Sequence, residues 1–108
     1  MSYDVWLEIT VDTGTDHNLW LLDVNHTSNC APMWRHAGAD LREYDGKPAS
    51  EAAGPLTEAV ARMEADPDTY RAMNPPNGWG DYDTALAFLR EIAQACARHS
   101  KATVRVSW

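Results

Sequence analysis

The strongest constraint on the fold of this chain is a change of hydrophobic period along its length. Tyr82, Ala85, Leu86, Leu89, Ile92, Ala93 and Cys96 recur at the 3.6-residue spacing of one helix face. That stripe predicts a helix over residues 83–98. Asp81 and Asp83 suit its positive N-terminus, while Arg98, His99 and Lys101 suit its negative C-terminus. At the two ends of the chain the period falls to two. Tyr3, Val5, Leu7, Ile9 and Val11 alternate with Asp4, Trp6, Glu8 and Thr10, and Val104 and Val106 point inward across residues 102–108.

Between these anchors the signals are shorter. Asp12-Thr13-Gly14-Thr15-Asp16 reads as a turn and residues 19–24 as a second strand, which together predict a hairpin. The second strand is apolar on both faces through Leu19, Trp20, Leu21 and Leu22. Such a strand is either covered from both sides or meets a second copy in a homodimer. A short helix is expected around Met33, Ala37 and Leu41, with Gly38 ending it. Gly54-Pro55 interrupts an Ala-rich stretch, which predicts a short helix before it and a firmer one over 55–65. Asp66-Pro67 stops that helix and starts a further turn through Tyr70 and Met73. The expected architecture is a two-layer α+β fold. Its small, mostly antiparallel sheet comes from the N-terminal hairpin and the C-terminal strand, with three or so helices on one face. At 108 residues, the span 1–108 is a single α+β domain with one core.

Composition narrows the function classes. A formal net charge of -7, with nine scattered basic residues, argues against binding a nucleic-acid polymer, which draws its affinity from clustered Lys and Arg. No apolar run reaches the roughly 18–20 residues of a membrane span. The start Met1-Ser2-Tyr3-Asp4 lacks a basic, then apolar, leader, and Cys30 and Cys96 form no CxxC pair. The expectation is a cytoplasmic protein with reduced thiols.

Two polar, turn-rich segments are candidates for chemistry. The first is Asn25-His26-Thr27-Ser28-Asn29, leading into Met33-Trp34-Arg35; with no acid among them, they suit an anion at a helix start. The second is Asn74-Pro75-Pro76-Asn77-Gly78-Trp79-Gly80-Asp81-Tyr82-Asp83. Its prolines and glycines give a shaped loop. Trp79 and Tyr82 suit stacking on a flat ring, with Asn74, Asn77 and Asp81 pairing its edges. A shared cleft between the segments would suit a small molecule, with a nucleotide as the favoured class. Catalytic signatures such as GxSxG, HExxH, Walker A and GxGxxG are absent from the sequence. His26, Cys30 and His36 match no standard metal spacing, so neither a metal nor a cofactor is expected. His26 and Asp81 remain the residues an acid–base enzyme would use. The acidic charge and surplus tryptophan, Trp108 included, would serve a protein-interaction module that inhibits a host enzyme.

Asn25-His26-Thr27-Ser28-Asn29 with Pro32-Met33-Trp34, the Asn-Pro-Pro-Asn-Gly-Trp-Gly-Asp-Tyr loop and the ending Ala102-Thr103-Val104-Arg105-Val106-Ser107 carry a resemblance. Over most of its length the chain resembles small uncharacterised proteins of actinobacteria and their phages. The resemblance implies a setting rather than an activity. In that setting, a non-catalytic pocket protein would sequester a nucleotide-derived immune signal.

Overall fold

The computed structural model describes residues 1–12 and 16–108. The expected turn at residues 13–15 and the side chains of residues 11, 12 and 16–18, with the inward placement of Val11, lie outside the described residues. The fold is α+β. Strands β1 (Ser2–Asp12), β2 (Asp16–Thr27) and β3 (Thr103–Ser107) form one antiparallel sheet in the order β2-β1-β3. Helices α1 (Ala31–His36), α2 (Ala49–Ala65), α3 (Pro67–Arg71) and α4 (Tyr82–Arg98) form the second layer.

Period two in the sequence becomes two different sheet faces. Tyr3, Val5, Leu7, Val104 and Val106 are buried in the core with Leu86, Leu89 and Ile92 of α4. Asp4, Trp6, Glu8, Thr103 and Arg105 turn the other way and are only half-buried. β3 pairs with Asp4–Glu8 alone, so the hairpin runs on past it. The outer edge of β3 is closed by the chain before α2: Val104 N–H donates to Lys47 O at 2.8 Å and Val106 N–H to the Asp45 carboxylate at 3.0 Å.

β2 extends three residues further than its apolar pattern indicates. The polar residues Asn25, His26 and Thr27 continue the strand because β1 supplies partners: Asp4 faces Asn25, Tyr3 faces His26 and Ser2 faces Thr27. The interruption expected at Gly54-Pro55 is overturned: α2 is one 17-residue helix through both residues. Gly54 and Pro55 lie on its exposed side, while Ala49, Ala52, Leu56, Ala59, Val60 and Met63 make an unbroken buried stripe. Burying Leu56, Val60 and Met63 is worth roughly 1.5–3 kcal/mol each. That sum exceeds the ~3 kcal/mol an internal proline costs.

α1 is as short as Gly38 implies. Gly38 takes φ +96°, its N–H donates to Arg35 O at 3.0 Å, and the Ala39 N–H reaches Trp34 O at 2.8 Å. These two bonds satisfy carbonyls that the last turn leaves unpaired. α1 thereby delivers Trp34 to the core with 1 % exposure.

Candidate functional site

The two polar segments meet at the end of the sheet where β1 begins and β2 finishes, and Gly80 is the point of contact. Its φ of +86° is a left-handed conformation that a side chain disfavours. A Cβ there would stand 2.6 Å from Thr27 Cγ2, 2.9 Å from Cys30 Sγ and 3.0 Å from His26 Cε1. Glycine alone lets the loop before α4 lie this close to the end of β2.

The loop is fastened on both sides of that contact. Asn74 Oδ1 accepts the Tyr82 N–H at 2.8 Å. Asp81 is the N-cap of α4: its carboxylate accepts the Thr84 N–H at 2.8 Å, and the Thr84 hydroxyl accepts the Asp81 N–H at 3.2 Å. The Thr84 N–H, then its hydroxyl, hold the Asp81 carboxyl below the usual range, with a smaller contribution from His26. His26 closes the joint, its Nε2 3.0 Å from Thr84 Oγ1 and its Nδ1 2.9 Å from Thr27 O. Its ring lies within 5.5 Å of the Trp34 ring and 5.4 Å of Phe88. His36 lies elsewhere, edge-on to Tyr70.

A cleft of about 570 Å³ opens above this joint, lined by Met1, Ser2, Asn25, Thr27, Asn29, Asn77 and Trp79. Its side chains are one thioether, two hydroxyls, three amides and one indole, with no charged group among them. Trp79 is 70 % exposed. Its backbone is fixed where the side chain is not: Asn77 Oδ1 accepts the Trp79 N–H at 3.0 Å, and Gly78 N–H donates to Pro75 O at 3.3 Å. A turn shaped from within therefore presents an uncovered indole. Asn25 is steadied by its Nδ2, which donates to Asp4 Oδ1 at 2.7 Å.

The expected site residues thus divide by task. Thr27, Asn29, Asn77 and Trp79 line the cleft. His26, Asn74 and Asp81 hold the loop and α4 in place, and the Ser28 N–H donates to Met1 O at 3.2 Å beside them. Trp34 and Tyr82 are buried. The Trp34 indole N–H donates to Ala85 O at 3.1 Å and the Tyr82 hydroxyl to Met63 O at 2.7 Å. Arg71 and Tyr70 already cover the Tyr82 ring, at 5.0 Å and 6.3 Å, so it offers no stacking face. Arg35 is exposed, donates to its own helix at Ala31 O, and does not line the cleft. Asn25, the first residue of the first polar segment, lines it too; Met1 and Ser2 line it without having been singled out, and carrying the hairpin register to its end would have found them, since Ser2 pairs with Thr27.

Cys30 lies under the joint, its Sγ 3.9 Å from Asp81 O. Burial, then the Asp81 charge, push its thiol up to about 11, and burial does the same to Cys96. Both are poor nucleophiles at neutral pH. No described helix is long and apolar enough to cross a membrane. Comparison with known proteins finds no matching family model, no matching curated protein and no matching solved structure.

Proposed function

We propose that this protein is a non-catalytic binder of a small molecule, and that the cleft at Trp79 takes a flat, uncharged, hydrogen-bonding ring such as the base of a nucleotide. The observation that carries the reading is the exposed Trp79 indole on a rigid turn, facing amides and hydroxyls with no charge among them. An indole face contributes about 1–3 kcal/mol to stacking on a base. Asn25, Asn29 and Asn77 supply both donors and acceptors for a ring edge. The lining side chains are uncharged and suit a base edge, while the α-ammonium of Met1 is the one cation the cleft's lining residues carry. A binder in excess over its ligand acts as a sink. Sequestration of a nucleotide-derived immune signal is the role that the phage-like resemblance adds.

The non-catalytic part of the reading rests on what His26 and Asp81 are doing. Both are tied to Thr84 in the cap of α4, and a carboxylate already held below its usual range is a weak base. Calorimetry against free bases, nucleosides, nucleotides and cyclic nucleotides tests the proposal. The expected result is binding of at least one base-bearing ligand, lost in Trp79→Ala and kept in Arg35→Ala. Absence of heat from every ligand on a folded protein refutes it; turnover of a bound ligand refutes the non-catalytic part.

A further inference from the structure

We propose that β2 is the seam of a homodimer, in which two copies join edge to edge into a continuous six-stranded sheet. The two edges of the sheet are treated differently. The β3 edge is covered by residues 45–48. Among the described residues no backbone segment pairs with the outer edge of β2, although it is 12 residues long. A long uncovered edge is a template for another strand. Its side chains are also unburied for their type: Trp20 is 57 % exposed, its ring 5.4 Å from that of Trp6, and Leu19 is 48 % exposed.

The occupant is a second copy because the strand is complementary to itself. Leu7 pairs with Leu22 and Glu8 with Trp20, which leaves Leu21 as an extra residue in β2. Across that bulge the alternation changes phase. Leu19 and Val24 therefore share the helix-covered face, and Trp20 and Asp23 share the open one. Two such strands, antiparallel about a two-fold axis between Leu21 and Leu22, match on both faces. Leu19 lies beside Val24 of the partner subunit, Trp20 beside the partner subunit's Asp23, and Leu21 beside the partner subunit's Leu22. Asp23 is the one charged residue in 19–25, and this register sets it against an indole rather than against its own copy. One closed edge and one open edge also limit the assembly to two chains, where two open edges would build a fibre. Residues 16–18 of the partner strand then run beside residues 25–27, at the rim of each cleft.

Sedimentation or light scattering of the full chain, from micromolar to near-millimolar concentration, reads the assembly directly. Twice the monomer mass is expected. A chain that stays monomeric throughout overturns the proposal and leaves the edge to a strand of another protein. Trp20→Asp sets a carboxylate against the partner subunit's Asp23 and should weaken association by roughly tenfold or more. Adding Asp23→Lys to that variant should restore it; both sites are exposed, and circular dichroism checks the fold. An unweakened Trp20→Asp dimer, or one that Asp23→Lys fails to rescue, overturns the register. Mixing Trp20→Cys chains with Asp23→Cys chains under mild oxidation should cross-link 20 to 23 between chains, against a quiet background from the buried Cys30 and Cys96. Cross-linking of 23 to 23 instead overturns it too.

Discussion

The base and the tip of the loop before α4 share ten consecutive residues and little else. At the base, Asn74, Gly80, Asp81 and Tyr82 spend their polar groups and their space on the protein: two hold backbone N–H groups, one admits β2, and one donates to α2. At the tip, Asn77 shapes the turn and Trp79 is left open. Residue type does not separate them, since both regions hold an amide, a glycine and a large aromatic. Partnership does. A clasp and a binding surface have thus been built into one loop, and substitutions should tell them apart by what they damage.

The largest effect belongs to Gly80→Ala. The added methyl meets Thr27, Cys30 and His26 at 2.6–3.0 Å, and the φ of +86° opposes it besides. Overpacking and a left-handed backbone together should cost about 2–4 kcal/mol, read by chemical denaturation. The strand end and the loop would part, so ligand binding should fall with it. A stable Gly80→Ala protein would mean that the loop is not pressed against β2.

Tyr82→Phe comes next. It removes a hydroxyl from a buried ring and leaves Met63 O without that partner. The expected loss is about 1–2 kcal/mol with ligand affinity unchanged, because the ring lies beneath Arg71 and Tyr70 and away from the cleft. Weaker ligand binding in a folded Tyr82→Phe would place the phenol in the site after all.

These two residues also mark how much could be read from the sequence. The periods of β1, β3 and α4 were legible because each buries one continuous row of apolar side chains. Tyr82 belongs to that same row on α4, which its place in an aromatic loop disguised as a ligand contact. The continuity of α2 was not legible, because local signals at Gly54-Pro55 argue for a break and only burial of Leu56, Val60 and Met63 against the rest of the fold overrides them. Arg35 looked like an anion contact because it follows a polar run. Yet β2 carries that run as strand through Thr27, a 3-10 turn takes Ser28–Cys30, and α1 turns Arg35 away from the cleft. Contact between the two segments depends on one glycine without a Cβ, and a sequence shows the glycine without showing what it avoids.

Asp81→Ala removes the N-cap of α4 and should cost about 1 kcal/mol at neutral pH. Its pH dependence identifies the cause. The Asp81 carboxyl is held below its ordinary value in the folded protein. Its stabilisation is then fully present above the unfolded value of about 3.9 and is lost as pH falls through the lower folded value. The gap between wild type and Asp81→Ala should therefore close in acid. Asp40 and Asp45 are lowered as well, by Arg42 and by the Val106 N–H respectively, so both proteins weaken there and only the difference between them is diagnostic. A gap that persists below both values would assign the effect to packing rather than to the charged cap.

Trp79→Ala should have the smallest effect on stability and the largest on binding. The indole is 70 % exposed and makes no hydrogen bond that holds the turn, since the Asn77 side chain bonds to the Trp79 backbone. Substitutions of that kind usually change stability by no more than about 0.5 kcal/mol. Removing a stacking face should nonetheless weaken a base-bearing ligand by roughly tenfold or more. Denaturation and calorimetry on the same preparation measure both quantities, and their ratio is the point. A loss of stability comparable to Gly80→Ala would show that the tip is clasp as well. An unchanged stability with unchanged binding would leave the exposed indole to a different partner. Only a stable protein that has lost its ligand is consistent with a loop whose base folds the chain and whose tip meets the molecule it binds.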